Sequence, residues 1–442
     1  MELRIPEWSN RGPDIPELLG RRLPDRLRVA CDALASSGRL EILELSQGLL
    51  IRTTSWVGRL QLGDLVLTIE PKLQGAPLAA LLRYTYGLRD LRLHETTTHA
   101  AFLNGIRDLL VRQLVDEAEE LFARGLHRDY GRSSEILSSP RGRLDFAGFA
   151  NVAGRSRAAL PCVHHPRSET NPVNVALLGA IDLGGRLAGD PMLRHRAARL
   201  ARSLEIVVPR TPLTLTALDL VEAIMDRRHR AYYPCFHIAR LLLEGAGTSL
   251  EPGATVVPLP GFLFDMNRFF QALLSRFLTE HLPNLQIENE QVLKGMFTWE
   301  KNMNPLGRKA PAPRPDFLVK DGTNVIAVLD AKYRDLWRTP LPREMLYQLA
   351  LYALGCRIKA REAVILYPSI DQTSREQAVA LRDPYGGGKL ARVVLRPINL
   401  HALADQVVAI KSPIILRRRE ELANWIAFGP LVRATAEPIV WS

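Results

Sequence analysis

Two neighbouring stretches, RPDFLV (residues 314–319) and VIAVLDAKY (residues 325–333), decide the fold of the C-terminal part of this chain. Each is a short apolar run of the kind that forms a strand. The segment between them contains Asp321-Gly322-Thr323-Asn324, a strong turn signal. The two runs therefore predict a pair of antiparallel strands joined by a tight turn.

Three charged side chains stand at the open end of this predicted hairpin. Strand side chains alternate between faces, so Asp330 and Lys332 lie on one face, and antiparallel pairing brings Asp316 beside Asp330. Two converging carboxylates form a hard-oxygen site suited to one or two Mg²⁺ ions, and the carbonyl of Ala331 is a natural third ligand. The ammonium of Lys332 can orient a water and neutralise charge that grows on a phosphate.

A polar pair on the next helix extends this pattern. An Asp-x-Lys triplet alone is common by chance, but this one ends an apolar strand, where unpaired charge is costly. Gln348 and Tyr352 follow four residues apart, on one face of a predicted helix. The combined pattern, PD-x13-D-x-K followed by Q-x3-Y, makes Asp316, Asp330, Lys332, Gln348 and Tyr352 the candidate catalytic residues.

Around the hairpin, hydrophobic periodicity predicts a mixed α/β region over residues 256–442. The predicted elements are a helix over Met266–His281, a strand within Leu285–Leu293, a helix over Arg343–Cys356, and strands over Ala363–Tyr367 and Ala391–Leu395.

The first 255 residues divide into two further regions, so an α/β multidomain protein is expected. Residues 1–95 are predicted to be β-rich, because Leu40–Thr53 and Gly58–Glu70 alternate in polarity and the second run contains a Gly63-Asp64 turn. Residues 96–255 show helical spacing, with a long helix ending at Arg124-Gly125 and further helices over Asn174–Leu187 and Leu218–Leu243. Gly245–Pro260 is the best linker candidate.

Composition favours a polyanionic partner and argues against a membrane or a disulfide scaffold. Among 442 residues, Lys plus Arg number 58 and Asp plus Glu 47, a net charge of +11. The four cysteines are far apart and show no metal-ligand spacing. No apolar run approaches the ~18 residues that cross a bilayer, and no signal peptide is recognisable. A soluble, cytoplasmic protein is expected.

The pattern at the hairpin resembles that of the PD-(D/E)xK nuclease superfamily, and Gln348 with Tyr352 resembles the helix of its RecB-like branch. The wider chain resembles the McrC subunit of 5-methylcytosine-dependent McrBC restriction systems. Three other passages carry this resemblance: Val57–Gly63 running on to Ile69–Leu73; Arg124-Gly125-Leu126 with Tyr130 and Arg141–Asp145; and Phe264–Asn267. The resemblance spans roughly residues 40 to 370.

The resemblance implies a C-terminal PD-(D/E)xK endonuclease domain that cuts double-stranded DNA with Mg²⁺. It also implies a McrB-like AAA+ GTPase hexamer as partner, bound through the β-rich N-terminal domain, in a system that defends against phage and other foreign DNA. The sequence agrees on one independent point: it contains no G-x-x-x-x-G-K-[ST] loop, and Gly386–Leu390 lacks the required spacing. Nucleotide-driven movement is therefore expected from another chain.

One position departs from the family pattern. Family members usually place a Glu on the helix after Phe264–Asn267, whereas this chain has Gln271. Glutamine brings no charge, so the number of metal ions is open. Glu288 or Glu290, on the next predicted strand, could supply the carboxylate instead.

Two other functions remain open at this point. One is a free-standing RecB-like repair or processing nuclease, which the long N-terminal part disfavours. The other is a non-catalytic regulator of a motor ring, which the intact set of Asp316, Asp330 and Lys332 disfavours.

Overall fold

The computed structural model describes residues 1–73, 75–87, 99–147, 159–246, 261–356 and 361–430. Its contacts divide the chain into two compact units. One unit combines residues 1–103 with 263–442, and the other comprises residues 104–262. The predicted division into 1–95, 96–255 and 256–442 stays a prediction, because both internal boundaries lie outside the described residues.

The described residues form both strands and helices, which makes this a mixed α/β protein, as the sequence predicted. The strands are β1 (Glu2–Pro6), β2 (Asn10–Arg11), β3 (Leu40–Leu45), β4 (Gly48–Thr53), β5 (Trp56–Leu62), β6 (Leu65–Glu70), β7 (Asp129–Tyr130), β8 (Ser133–Leu137), β9 (Arg143–Leu144), β10 (Leu160–His164), β11 (Arg167–Ser168), β12 (Gly261–Asp265), β13 (Gln286–Asn289), β14 (Phe317–Asp321), β15 (Asn324–Ala331), β16 (Glu362–Ser369), β17 (Gln377–Arg382) and β18 (Lys389–Asn399).

The helices are α1 (Asp25–Ser36), α2 (Gly75–Tyr86), α3 (His99–Arg124), α4 (Pro172–Leu187), α5 (Pro191–Glu205), α6 (Leu215–Ile224), α7 (Tyr233–Gly245), α8 (Met266–His281), α9 (Arg343–Gly355), α10 (Leu400–Val408) and α11 (Pro413–Phe428). A 3₁₀-helix over Arg227–Tyr232 leads directly into α7. None of the described helices is both long and apolar enough to cross a membrane.

A six-stranded sheet in the order β13-β14-β15-β16-β18-β17 forms the C-terminal part of the first unit. Strands β13, β14 and β15 are antiparallel neighbours, whereas β15, β16 and β18 run parallel to one another. Helix α9 connects β15 to β16 and packs on the sheet, as a parallel connection requires. The strand pair predicted around Asp321–Asn324 is confirmed.

Alternation along this hairpin buries one apolar face under α9. Leu318 of β14 and Val328 of β15 lie opposite each other and belong to one buried cluster with Leu349 and Tyr352 of α9. At about 25 cal/mol per Å² of apolar surface removed from water, such side chains each contribute about 1.5–3 kcal/mol. The same alternation turns Asp330, two residues after Val328, toward the face that carries α9.

Two smaller sheets form the N-terminal part of the same unit. Strand β4 pairs with β3 on one side and with β2 on the other. Strands β5 and β6 form a hairpin around Gly63, whose φ of 65° suits the turn. The hairpin predicted at Gly63-Asp64 is therefore confirmed, and the predicted run Leu40–Thr53 forms two strands that turn at Ser46-Gln47. Strand β1 adds to β6 in parallel, a long-range pairing that the local sequence pattern does not reveal.

The second unit is helical, as predicted, with short strands added. Helix α3 ends at Arg124, the predicted residue. The single helix expected over Leu218–Leu243 is wrong, because α6 ends at Ile224 and Asp226 caps the 3₁₀-helix that follows. Residues 247–260 of the predicted linker lie outside the described residues.

Gly48→Ala should destabilise the N-terminal sheets strongly. Gly48 has a φ of +147°, and a Cβ there would lie 2.1 Å from the carbonyl oxygen of Leu18. Gly20 is the matched control, because its φ is +68° and an added Cβ has nothing within 4 Å. Gly20→Ala should cost about 1–2 kcal/mol for the left-handed backbone, and Gly48→Ala about 1–3 kcal/mol more for the overlap. Equal midpoints of thermal unfolding for the two variants would contradict this packing.

Candidate metal centre

The candidate centre lies at the open end of the β14–β15 hairpin. The register pairs Phe317 with Leu329, so the next residue outward on each strand, Asp316 and Asp330, face each other. On its other side β15 is paired with β16, where Asp330 lies beside Ile365. The centre is thus built on the middle of a sheet, which fixes its backbone.

The structure brings Asp316, Asp330 and Lys332 into one cluster of charges. The Nζ of Lys332 lies 2.9 Å from Oδ2 of Asp330 and 3.5 Å from Oδ2 of Asp316. The side chain of Asp330 is only 5% exposed and that of Asp316 15%, so water screens this cluster weakly. The main-chain N–H of Ala331 donates to Oδ2 of Asp316 over 2.7 Å.

Burial and mutual repulsion shape the proton affinities of this cluster. Burial, followed by the charge of Asp330, raises the pKa of Asp316 to about 6, against the opposing effects of Lys332 and the Ala331 N–H. Burial lowers the pKa of Lys332, but the attraction of Asp330 and Asp316 outweighs it and the net pKa is raised. Lys332 is therefore a stable cation, and Asp316 is harder to ionise than an ordinary aspartate.

Gln271 and Glu290 complete the polar surroundings of Asp316. The Nε2 of Gln271, on α8, donates to Oδ1 of Asp316 over 3.3 Å and to Oε1 of Glu290 over 3.4 Å. Of the two alternatives open in the sequence, Glu290 lies near the cluster, because its main-chain N–H donates to the carbonyl of Asp316 over 2.9 Å and its side chain accepts from Gln271. Glu288 instead forms an ion pair with Lys320 over 2.6 Å.

Gln348 and Tyr352 lie on α9 and bind each other. The Nε2 of Gln348 donates to the Tyr352 hydroxyl over 2.7 Å. Tyr352 is fully buried in the cluster beneath the sheet, and burial raises its pKa, with a smaller contribution from the charges of Asp330 and Asp316. The charges of the two carboxylates therefore raise the pKa of the Tyr352 hydroxyl, and the hydrogen bond holds Gln348 against that hydroxyl.

Two residues that sequence reasoning missed hold the end of β15 in place. The amide of Tyr333 donates to Oδ1 of Asn267 over 2.9 Å, and its carbonyl accepts from Nε1 of Trp8 over 2.7 Å. Both main-chain groups next to Lys332 are thereby fixed. Asn267 belongs to the passage Phe264–Asn267, so the Asp-Met-Asn at the start of this helix could have identified it from the sequence. No sequence pattern marks Trp8 as a functional residue.

The donor set fits a hard divalent cation such as Mg²⁺. Asp316 and Asp330 offer carboxylate oxygens at the same strand ends, and one ammonium between two carboxylates leaves a net negative charge. The N–H of Ala331 donates to Asp316, whereas the carbonyl of Ala331 stays a predicted metal ligand. Such a set can bind a cation and a phosphate oxygen together, because Lys332 lies within the same cluster.

Comparisons with known proteins identify relatives of most of the chain. The family of McrBC 5-methylcytosine restriction system components matches residues 51–368. No curated protein matches the sequence.

Two solved structures from Thermococcus gammatolerans resemble it. One is a refined half-complex from a tetradecameric assembly of McrB AAA+ hexamers with bound McrC. The chain matched there is 18% identical, with a TM-score of 0.54, and the match covers 96% of this chain and 99% of that one. The other is a cryo-EM structure of the McrBC complex, 18% identical with a TM-score of 0.41, covering 64% of this chain and 88% of that one. The first match shows a shared fold.

Gln271→Glu should tighten Mg²⁺ binding. The new carboxylate would stand where Nε2 now contacts both Asp316 and Glu290, and affinity for hard cations rises with the number of charged oxygen ligands. We expect an affinity gain of about tenfold or more in a calorimetric Mg²⁺ titration. Gln286→Glu is the matched control, because Gln286 contacts Glu288 instead. An equal gain in both variants would mean that only net charge matters.

Asp316→Asn should stabilise the metal-free protein increasingly as pH rises. The folded-state pKa of about 6 exceeds the unfolded value near 3.8, so the native protein binds more protons in this window. This carboxyl therefore opposes folding more strongly as pH rises from about 4 to about 6. In thermal unfolding with a chelator present, the midpoint of the variant minus that of wild type should be larger at pH 7 than at pH 4.5. A pH-independent difference between the two would contradict the assigned burial.

Proposed function

This chain belongs to the family of McrBC 5-methylcytosine restriction system components, and from that premise we propose that it is the Mg²⁺-dependent DNA endonuclease subunit of such a system. The observation that carries the proposal is the cluster of Asp316, Asp330 and Lys332 at the strand ends. Two carboxylates and an ammonium in one weakly screened site are the groups that phosphodiester hydrolysis needs.

Each residue of the cluster has a definite task in this proposal. Asp316 and Asp330 would hold the cation, and Gln271 and Glu290 would orient Asp316 or a water bound next to it. A bound Mg²⁺ would supply Lewis-acid polarisation of the phosphate and a more acidic water. Lys332, whose raised pKa keeps it protonated, would neutralise the charge that develops on the phosphate oxygens.

Gln348 and Tyr352 would support the substrate side of the same face. Tyr352 is fixed by burial, and its hydroxyl accepts from Gln348, which holds the Gln348 side chain in place. The amide of Gln348 retains a second N–H and a carbonyl oxygen that can bind a phosphate or a water. We assign this pair a positioning role and leave metal binding to the carboxylates.

We further propose that this chain docks on a McrB-like AAA+ GTPase hexamer and stimulates its GTP hydrolysis. Family membership supports this partner, and the sequence contains no phosphate-binding G-x-x-x-x-G-K-[ST] loop of its own. In the Thermococcus gammatolerans structure, McrC is bound to McrB hexamers. Double-stranded DNA is the expected substrate, in keeping with the net charge of +11.

Asp330→Ala and Lys332→Ala should each abolish Mg²⁺-dependent DNA cleavage. Loss of metal or ammonium stabilisation of the transition state is worth several kcal/mol, which corresponds to at least about a thousandfold in rate. Asp321→Ala and Lys320→Ala, on the same hairpin but at its turn end, are the matched controls and should cleave normally. The assay uses the full chain with its GTPase partner and a methylated duplex. Wild-type cleavage by Asp330→Ala would refute the site.

The same variants separate the nuclease from the motor partner. If the chain also stimulates the GTPase, Asp330→Ala should raise GTP turnover as much as wild type does. Wild-type chain that cleaves DNA but neither co-elutes with the GTPase nor changes its turnover would instead favour a free-standing nuclease. Stimulation of turnover without cleavage by wild type would favour a non-catalytic regulator.

A further inference from the structure

A second cluster of metal-ligating side chains lies in the unit formed by residues 104–262. His127 and Asp129 come from the segment after α3, and His229 comes from the 3₁₀-helix. One potential ligand atom of each residue lies within 4.8 Å of the others. Nearly a hundred residues separate the two segments, so the fold itself creates this juxtaposition.

His229 has an unused ring nitrogen inside this cluster. The residue is only 4% exposed, and its Nε2 has no hydrogen-bond partner among the described residues. An unsatisfied buried polar atom costs about 1–3 kcal/mol. The ring of His127 lies against it, with centroids 4.3 Å apart, and Nε2 of His127 is 2.9 Å from Oδ1 of Asp129.

The other nitrogen of His229 is already oriented by Asp226. Its Nδ1 accepts the main-chain N–H of Asp226 over 3.2 Å and lies 3.1 Å from Oδ1 of the same residue. In this arrangement the neutral ring carries its proton on Nε2, so a metal ion at Nε2 would need the other tautomer, in which the Nδ1 proton is donated to the Asp226 carboxylate. A carboxylate behind an imidazole in this way is the usual support of a metal-ligating histidine.

The backbone of His127 is fixed as firmly. Its N–H donates to the hydroxyl of Tyr232 over 2.8 Å, and its carbonyl accepts from Nδ2 of Asn171 and of Asn174. The Tyr232 hydroxyl in turn donates to Oδ1 of Asn174 over 2.7 Å. Because this network is buried, His127 is held in place before any ligand binds.

We propose that His127, Asp129 and His229 bind one Zn²⁺ ion. Two imidazoles and one carboxylate suit Zn²⁺, whereas Mg²⁺ prefers the all-oxygen set at the hairpin. Three protein ligands leave a fourth position for water. The ion ties the segment after α3 to the 3₁₀-helix, and this role is independent of the proposed nuclease activity.

The test is Zn²⁺ binding by the full-length chain, measured against a competing zinc indicator after removal of metals by a chelator. Wild type should bind one Zn²⁺ per chain, and His127→Gln and His229→Gln should each weaken binding by more than about a hundredfold, since even supporting residues are worth about 10–100-fold. Co²⁺ in place of Zn²⁺ should give visible absorption bands that His229→Gln abolishes.

Three further variants keep the result interpretable. Asp226→Asn retains a side-chain oxygen that can cap the 3₁₀-helix but loses the charge behind His229, so it should fold and bind about 10–100-fold more weakly. His195→Gln, at an exposed position of the same unit, and Asp316→Asn should bind Zn²⁺ as wild type does. The proposal is overturned if wild type binds no Zn²⁺ at micromolar concentration, if His229→Gln binds it equally well, or if Asp316→Asn abolishes the binding.

Discussion

The ammonium of Lys332, held between the carboxylates of Asp330 and Asp316, is the interaction on which the candidate centre depends. Apolar strands bury these groups, and burying unpaired charge would be prohibitive. One positive charge offsets only one of the two carboxylates. The remaining negative charge destabilises the metal-free state and is the physical reason that this strand end should attract a divalent cation.

The residue after Lys332, Tyr333, is held by hydrogen bonds to both of its main-chain polar groups. Asn267 accepts from the amide of Tyr333, and Trp8 donates to its carbonyl. Trp8 itself has a left-handed backbone, with a φ of 54°. Residues 1–103 and 263–442 form one compact unit. A displacement of the segment that contains Trp8 would therefore break its hydrogen bond to Tyr333, the residue next to Lys332.

Much of the hairpin and its charges could be predicted from the sequence because the signals are local. The turn at Asp321–Asn324 and the two-residue period place Asp330 and Lys332 without any long-range information. The choice between Glu288 and Glu290 could not be predicted, since it depends on the contacts of these side chains with Lys320 and with Gln271 on other elements. The contact of Trp8 also gave no signal, because its partner is 325 residues away.

The most direct test of this account is to locate a divalent cation in crystals of the full chain soaked with Mn²⁺, using anomalous scattering. The account predicts a peak bound by the carboxylates of Asp316 and Asp330, with the Lys332 ammonium displaced from its present position between them. A peak confined to other residues, or well-diffracting crystals with no peak at the hairpin, would contradict the assignment of this strand end as the metal centre.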